Sequence, residues 1–271
     1  MAVAVDELLR FDPDTADLVP VPALDGPDVM DSWLCADGFV RRLDLHEQRF
    51  AASVPQRHRI GADTLAEFLS RVRAMLPTEG SWFPRIECSP LGDLGVRIRR
   101  APELSATVRL WTATVPDPRL EPRIKGPDQG RLAEMRRIAT YFGADEAVLL
   151  DAHGCVREGA FSAIGWWRGS ALCFPDPQGP ILPSVTRRLV EAVAGVRGVA
   201  VEYERVRPAD IAGLPVWVLS ALHGIREAVS WSDSPAPAST GGMRDDWQRA
   251  LDRFALRIDG AMPHPGEIQH A

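Results

Sequence analysis

The sequence predicts an α+β (mixed α/β) fold, and three observations carry that expectation. Short runs rich in β-branched and aromatic residues, several alternating apolar with polar, recur from Val40–Leu45 to Pro215–Ser220, as half-buried strands do. Between them lie segments with apolar residues every three to four positions, the helical period. The two kinds mix without strict βαβ alternation, which argues against a doubly wound sheet. The absence of GxGxxG and GxxxxGK[ST] points the same way and disfavours dinucleotide-binding and P-loop readings.

In chain order, residues 1–28 are rich in Pro and Asp and read as an irregular lead-in. Val40–Leu45 reads as a strand. Asp63–Leu76 reads as a helix: Leu65, Phe68, Leu69, Val72 and Leu76 share a face, and Thr64 with Glu67 matches a capping box. Gly95–Arg100 and Ser105–Ala113 read as strands. Alternation puts Arg97 and Arg99 on one face, where solvent exposure is expected. Val115–Pro122 holds three prolines and reads as a stiff linker. The division that follows is a small N-terminal α/β domain (1–114), a linker (115–122) and a larger C-terminal domain (123–271).

Beyond the linker, Leu132, Met135, Ile138, Ala139 and Phe142 mark a helix ending near Gly143. Glu146–Asp151, the turn Ala152–Gly154 and Cys155–Glu158 form a hairpin by spacing. Trp166–Phe174 suggests a second hairpin around Arg168-Gly169, with Trp166 and Trp167 serving packing. Thr186–Val196 reads as a helix stopped by Gly198. Val199–Val206 and Pro215–Ser220 read as strands, Ser232–Gly242 as a loop, and Met243–Ile258 as a closing amphipathic helix.

Composition narrows the function. A net charge of −6, with arginines scattered among acids, gives no nucleic-acid footprint. No apolar run is long enough to span a bilayer, and acidic Met1–Asp14 lacks the apolar core of a signal peptide, so a cytoplasmic, membrane-free setting is expected. The four cysteines are widely and irregularly spaced, and the six histidines form no HExxH pattern, so no metal is expected.

Lys125 is the only lysine; the other thirty of the 31 basic residues are arginine. An amine can lose its proton, attack a carbonyl and form a Schiff base, whereas a guanidinium stays charged. Downstream, Glu158 offers a carboxylate. The segment Ile181–Arg187 runs from a loop into a helix, where free amides and the hydroxyls of Ser184 and Thr186 suit a phosphate. Amine, carboxylate and phosphate cradle are what pyridoxal 5'-phosphate needs. Each part also has a plainer reading. Glu158 would be a solvated strand charge, Ser184 and Thr186 ordinary helix caps, and Arg49 a surface partner of Asp44 or Glu47.

Several stretches resemble the class IV pyridoxal-phosphate-dependent aminotransferases of fold type IV. This group includes branched-chain and D-amino acid aminotransferases and 4-amino-4-deoxychorismate lyase. Leu45-His-Glu-Gln-Arg-Phe50 is similar to its H-x-x-R-[LF] motif, and Ile124-Lys125 to its Schiff-base segment. Gly143–Gly159 resembles GADEALLLD-x-x-G-x-V-x-E-G. Ile181–Arg187 resembles I-L-P-G-[IV]-T-R, and Ser220–Arg226 resembles N-[SA]-L-x-G-x-R. The likeness covers about residues 30–232, with the motifs in the family's order and spacing.

The resemblance implies a two-domain fold, a small α/β domain plus a larger pseudo-barrel domain with the cofactor between them, and a homodimer. It implies that Lys125 forms the Schiff base and shuttles protons, and that Glu158 pairs with the pyridine nitrogen. Arg49, Ser184, Val185, Thr186, Ser220 and Ala221 would bind the phosphate. Arg97 and His223 are candidate substrate contacts, and His46 is expected to support the Arg49 segment. The implied reaction moves an amino group between an amino acid and a 2-keto acid. A lyase-type elimination releasing pyruvate, or a degenerate cofactor-binding protein, are the alternatives. The chain departs from the pattern at Ala163 and Ser220, where Asn is common, at Ser184 for Gly, and at Gly130 for the tyrosine of branched-chain members.

Overall fold

A computed structural model describes residues 6–232 and 234–258; residues 1–5, Asp233 and 259–271, on which parts of the lead-in, the late loop and the C-terminal domain expectation fall, lie outside. The described chain forms two compact units. Of the described residues, the first holds 6–103, 124–127 and 252–258; the second holds 104–123, 128–232 and 234–251. The expected division at 114/115 thus differs from this grouping, because residues 104–114 feed the central strand of the second unit's sheet. Lys125 belongs to the first unit.

In the first unit, β1 (Leu8–Asp12), β2 (Asp17–Pro20) and β3 (Val29–Ser32) precede β4 (Cys35–Ala36) and β5 (Phe39–Arg41). The described part of the lead-in is therefore ordered: Leu8, Leu9 and Phe11 are buried, and β1 pairs with β2. Val40 is in β5, but the chain becomes helical at α1 (Leu43–Ser53), with Arg42 in the left-handed region (φ 47°) turning between them. Next come α2 (Ala62–Met75), β6 (Ser81–Trp82), β7 (Arg85–Cys88) and β8 (Leu94–Arg97). The apolar stripe predicts α2 well: Leu65, Phe68 and Val72 are buried. The capping box does not form, since Gly61 is the N-cap and no side chain caps it.

Strands order as β2-β1-β8-β7-β3 in one sheet. One face, with Val29, Ile86, Cys88, Leu94 and Val96, joins Phe50, Phe68 and Val72 in the core. Burying a side chain of this size contributes roughly 1.5–3 kcal/mol.

The second unit opens with β9 (Thr107–Pro116), so the expected linker begins inside a strand. Then follow α3 (Gln129–Tyr141), β10 (Glu146–Leu150), β11 (Val156–Gly159), β12 (Ala163–Arg168) and β13 (Ala171–Pro175). Both expected hairpins form, with Gly154 (φ 78°) and Gly169 (φ 62°) turning them. α4 (Val185–Arg197) ends where Gly198 (φ 67°) takes the left-handed cap that β-carbons disfavour. β14 (Val201–Glu204), β15 (Val216–Ser220) and β16 (Gly224–Trp231) complete an eight-stranded sheet ordered β11-β10-β9-β16-β15-β12-β13-β14. β9 lies parallel to both β10 and β16 at its centre.

The closing helix is shorter than its periodicity predicts. α5 spans Met243–Asp252, and β17 (Ala255–Arg257) then pairs with β5, because Phe254 O and the strand backbone bond to residues 39–42. Trp167, Trp217 and Trp247 meet edge-to-face at 5.1–5.4 Å, so Trp167 does serve packing.

Candidate active site

In the first unit, the chain around Lys125 is fixed through its backbone. Met30 N–H on β3 donates to Lys125 C=O at 2.6 Å. At Gly126, φ is +143° and a β-carbon would stand 2.8 Å from Asp28 O and Val29 Cα, so only glycine allows this approach. Ile124 packs on the core. The sole lysine is thus anchored one residue from Asp31.

Asp31 is completely buried. Arg49 on α1 grips it as a fork, Nε to Oδ2 and Nη2 to Oδ1, both 2.8 Å. His46, one helical turn earlier, lies with Nδ1 2.9 Å from Oδ1, and Ser32 N–H donates to the same oxygen at 2.8 Å. Burial alone would push the Asp31 carboxyl up; Arg49 and His46 more than offset it and hold it well below the usual range. His46 is pushed down, by burial first and further by the charges of Arg49 and Lys125, against the pull of Asp31. A neutral His46 must present Nδ1–H to the ionised carboxylate. His46 does support Arg49, and it does so through Asp31. Asp44 and Glu47 pair with Arg42 and Arg73, while Arg49 forks onto Asp31. Asp31 escaped sequence reasoning; its one signal is a carboxylate inside a strand with Val29 and Met30.

In the second unit, Glu158 on β11 is buried beside Arg119, whose Nη1 stands 2.7 Å from Oε1. Leu182 N–H donates to the same oxygen at 3.0 Å, tying Glu158 to the loop ahead of α4. Arg119 also forks onto Asp117 at 2.9 and 2.6 Å, and Arg157 reaches Asp117 at 3.2 Å. Burial raises the Glu158 carboxyl and Arg119 pulls it back. Burial opposes the Arg119 charge, but Asp117 and Glu158 outweigh it and raise that guanidinium further. The net direction for Glu158 is upward, with Arg119 offsetting part of the cost of burial. The proline-rich stretch, read as a linker, supplies both Asp117 and Arg119. Gly159 is required next to Glu158: a β-carbon there would overlap Ser162 Oγ, which donates to buried Glu146 at 2.8 Å.

Ser184 is the N-cap of α4 and accepts from Arg187 N–H at 3.2 Å. Its φ of −71° and ψ of 122° are ordinary for a side-chain-bearing residue, so the departure from glycine costs no strain. Helix geometry leaves the amides of Val185 and Thr186 without intrahelical acceptors, and both residues are buried. Ser220 ends β15; its Oγ accepts from His223 N–H at 3.2 Å across the turn that holds Ala221. His223 Nδ1 in turn accepts from Ser105 N–H at 3.2 Å, so this histidine is fixed in one tautomer. Arg97 is half-buried, and its Nη1 bonds Asp6 O at 3.2 Å, so plain exposure was the wrong expectation.

These parts fit pyridoxal phosphate in their chemistry. One amine, one buried carboxylate paired with an arginine and a helix start with unspent N–H donors are present. Lys125, Arg49 and Arg97 fall in the first unit; Glu158, Ser184, Val185, Thr186, Ser220, Ala221 and His223 fall in the second. Among the described residues no helix is long and apolar enough to cross a membrane.

Comparison with known proteins agrees. The profile of the family described as Amino-transferase class IV matches residues 28–231. No curated protein sequence matches the chain. Solved structures share its fold. A fold IV-transaminase from Curtobacterium pusillum is 19% identical, with a TM-score of 0.74, covering 91% of this chain and 97% of that one. A hypothetical aminotransferase from Mycobacterium tuberculosis in its PLP-bound form is 18% identical, TM-score 0.75, covering 91% and 98%. A putative 4-amino-4-deoxychorismate lyase from Legionella pneumophila is 16% identical, TM-score 0.72, covering 86% and 96%.

Proposed function

We propose, since the chain belongs to the class IV amino-transferase family of pyridoxal-phosphate-dependent enzymes, that it moves an amino group between an amino acid and a 2-keto acid through Lys125. When bound, the cofactor supplies an aldehyde for amines and a ring that accepts electrons. Lys125 Nζ would hold that aldehyde, and its amine would serve as the base and acid that takes and returns the substrate Cα proton. Glu158, paired with Arg119, would hold the ring nitrogen in its protonated form. Arg49 and the amides of Val185 and Thr186 bind phosphate, with the Ser184 and Thr186 hydroxyls and the Ser220-Ala221 turn completing the cradle. Asp31 and His46 hold Arg49 in orientation. Homodimeric assembly and a cytoplasmic setting belong to the same proposal.

The observation that carries this reading is the anchoring of the only lysine. Gly126 and the Met30 bond fix its backbone beside the Asp31–His46–Arg49 triad. The test is a screen of L- and D-amino acids against the full chain loaded with pyridoxal phosphate. Transamination predicts that some amino acid converts the bound cofactor to its amine form, and that a 2-keto acid restores it. Pyruvate release from 4-amino-4-deoxychorismate, without any keto-acid requirement, would replace this reading with the lyase.

A further inference from the structure

β3, the strand bonded to Lys125, is held near both ends by the same kind of grip. Asp31 within it is taken by His46 and Arg49. Asp28, the residue just ahead of it, has a histidine and an arginine of its own. Arg57 Nε donates to Asp28 Oδ2 at 2.6 Å, and His58 Nε2 lies 2.9 Å from the same oxygen. An ionised carboxylate only accepts, so His58 presents Nε2–H to it. Both grips come from one stretch of chain. α1 runs on into a single 3-10 turn, Val54–Gln56, and the N–H groups of Arg57 and His58 bond back to Val54 C=O at 3.0 and 2.8 Å.

The lysine segment touches β3 and its approach at two points. Met30 N–H bonds to Lys125 C=O, and Gly126 abuts Asp28, where a β-carbon would stand 2.8 Å from the carbonyl oxygen and 2.9 Å from the carbonyl carbon. The second contact is therefore made on the residue that Arg57 and His58 hold. Upstream, a β-carbon at Gly26 would meet nothing within 4 Å, so the chain entering Asp28 is not propped there. Support for Asp28 comes from β7, through its N–H to Cys88 C=O at 2.9 Å, and from its carboxylate. Burial alone would raise that carboxyl; Arg57 and His58 outweigh it and hold it below the usual range. The Asp28 and His58 side chains are only 13% and 10% exposed, so water competes little for their bond, while Arg57 is 30% exposed.

We propose that Asp28, Arg57 and His58 are positioning residues for Lys125. They fix the Asp28 carbonyl against Gly126 and so set where the neighbouring amine stands when an aldehyde is bound. This role rests on the reading of Lys125 as the Schiff-base amine.

Equilibrium binding of two ligands to the full chain separates positioning from folding. Pyridoxal phosphate carries the aldehyde that Lys125 joins. Pyridoxine phosphate has the same ring and phosphate with an alcohol in its place, so it uses the cradle but not the amine. The ratio of the two Kd values reads the amine's contribution. Asp28→Asn keeps the shape and removes the charge. It should lower the preference for the aldehyde about threefold or more, a part of what one charge-assisted bond contributes, with pyridoxine phosphate binding unchanged. Arg57→Gln changes the most exposed of the three, disturbs the fold least and should shift the ratio in the same direction. His58→Leu should shift it too, whereas His58→Gln, whose amide can still donate to Asp28, should keep the wild-type ratio. A ratio unchanged in Asp28→Asn and Arg57→Gln, or one kept while both ligands weaken together, overturns the proposal and leaves the Lys125 reading standing. A wild type with no preference for the aldehyde refutes the Lys125 reading and this proposal with it.

Discussion

Replacing Asp31 with Asn tests the triad that orients Arg49. The side chain keeps its shape but loses its charge and one of its two acceptor oxygens. Asp31 accepts both arms of Arg49 at 2.8 Å, lies 2.9 Å from His46 Nδ1, and accepts Ser32 N–H at 2.8 Å, all with no exposed surface. Breaking one side of a buried pair costs about 3–5 kcal/mol. The Arg49 side chain keeps 12% exposure, so water recovers part of this and the lower figure, about 3 kcal/mol, applies. With a urea dependence of about 1–3 kcal/mol per molar, the unfolding midpoint should fall by about 1 M or more. Tryptophan fluorescence reads the transition. A shift below about 0.3 M would refute the reasoning. The pH dependence adds a second constraint. Asp31 is held below its unfolded value, near 3.9, so its stabilisation is fully present above that pH and fades only as pH falls through the depressed folded value. The gap between wild type and Asp31→Asn should therefore not shrink between pH 5 and 8. A gap that closes near pH 6 would place the decisive charge on His46 instead.

Arg119→Gln removes the cation 2.7 Å from Glu158, so the buried carboxyl should rise further and take up a proton nearer neutrality. Pyridoxal phosphate should bind at least about tenfold more weakly, by equilibrium dialysis, with the deficit growing as pH falls; an unchanged affinity across pH would contradict the role given to Arg119. Ser184→Ala removes the cap of α4 and should cost about 1 kcal/mol in urea unfolding. Inorganic phosphate should still protect this variant, through the Val185 and Thr186 amides that remain, but less than it protects wild type, because the Ser184 hydroxyl is lost from the cradle.

Much of the fold was legible because it rests on local rules. The period of α2, the two glycine-turned hairpins and the Gly198 stop depend on residues within one or two turns. What escaped depends on distant partners. β1 reads as irregular because its Pro- and Asp-rich surroundings hide three apolar residues that become a strand between β2 and the distant β8. The end of α5 reads as helix because Phe254 and Ile258 keep the period, while β5 draws residues 255–257 into a sheet. The site divides the same way. Lys125, Glu158 and Ser184 announce themselves by residue type and neighbours. Asp31 and Arg119 act 18 and 39 positions from Arg49 and Glu158, and nothing local marks those pairings.

The central claim is that Lys125 holds the cofactor, and its uniqueness makes the claim directly measurable. Borohydride reduction of the protein loaded with pyridoxal phosphate fixes the cofactor to whichever amine it has joined. No other side-chain amine exists in the chain. Peptide mass mapping should find the label on Lys125 alone, and Lys125→Arg should take no label and turn over no substrate. A label confined to the N-terminal amine, or turnover by Lys125→Arg, would contradict the account.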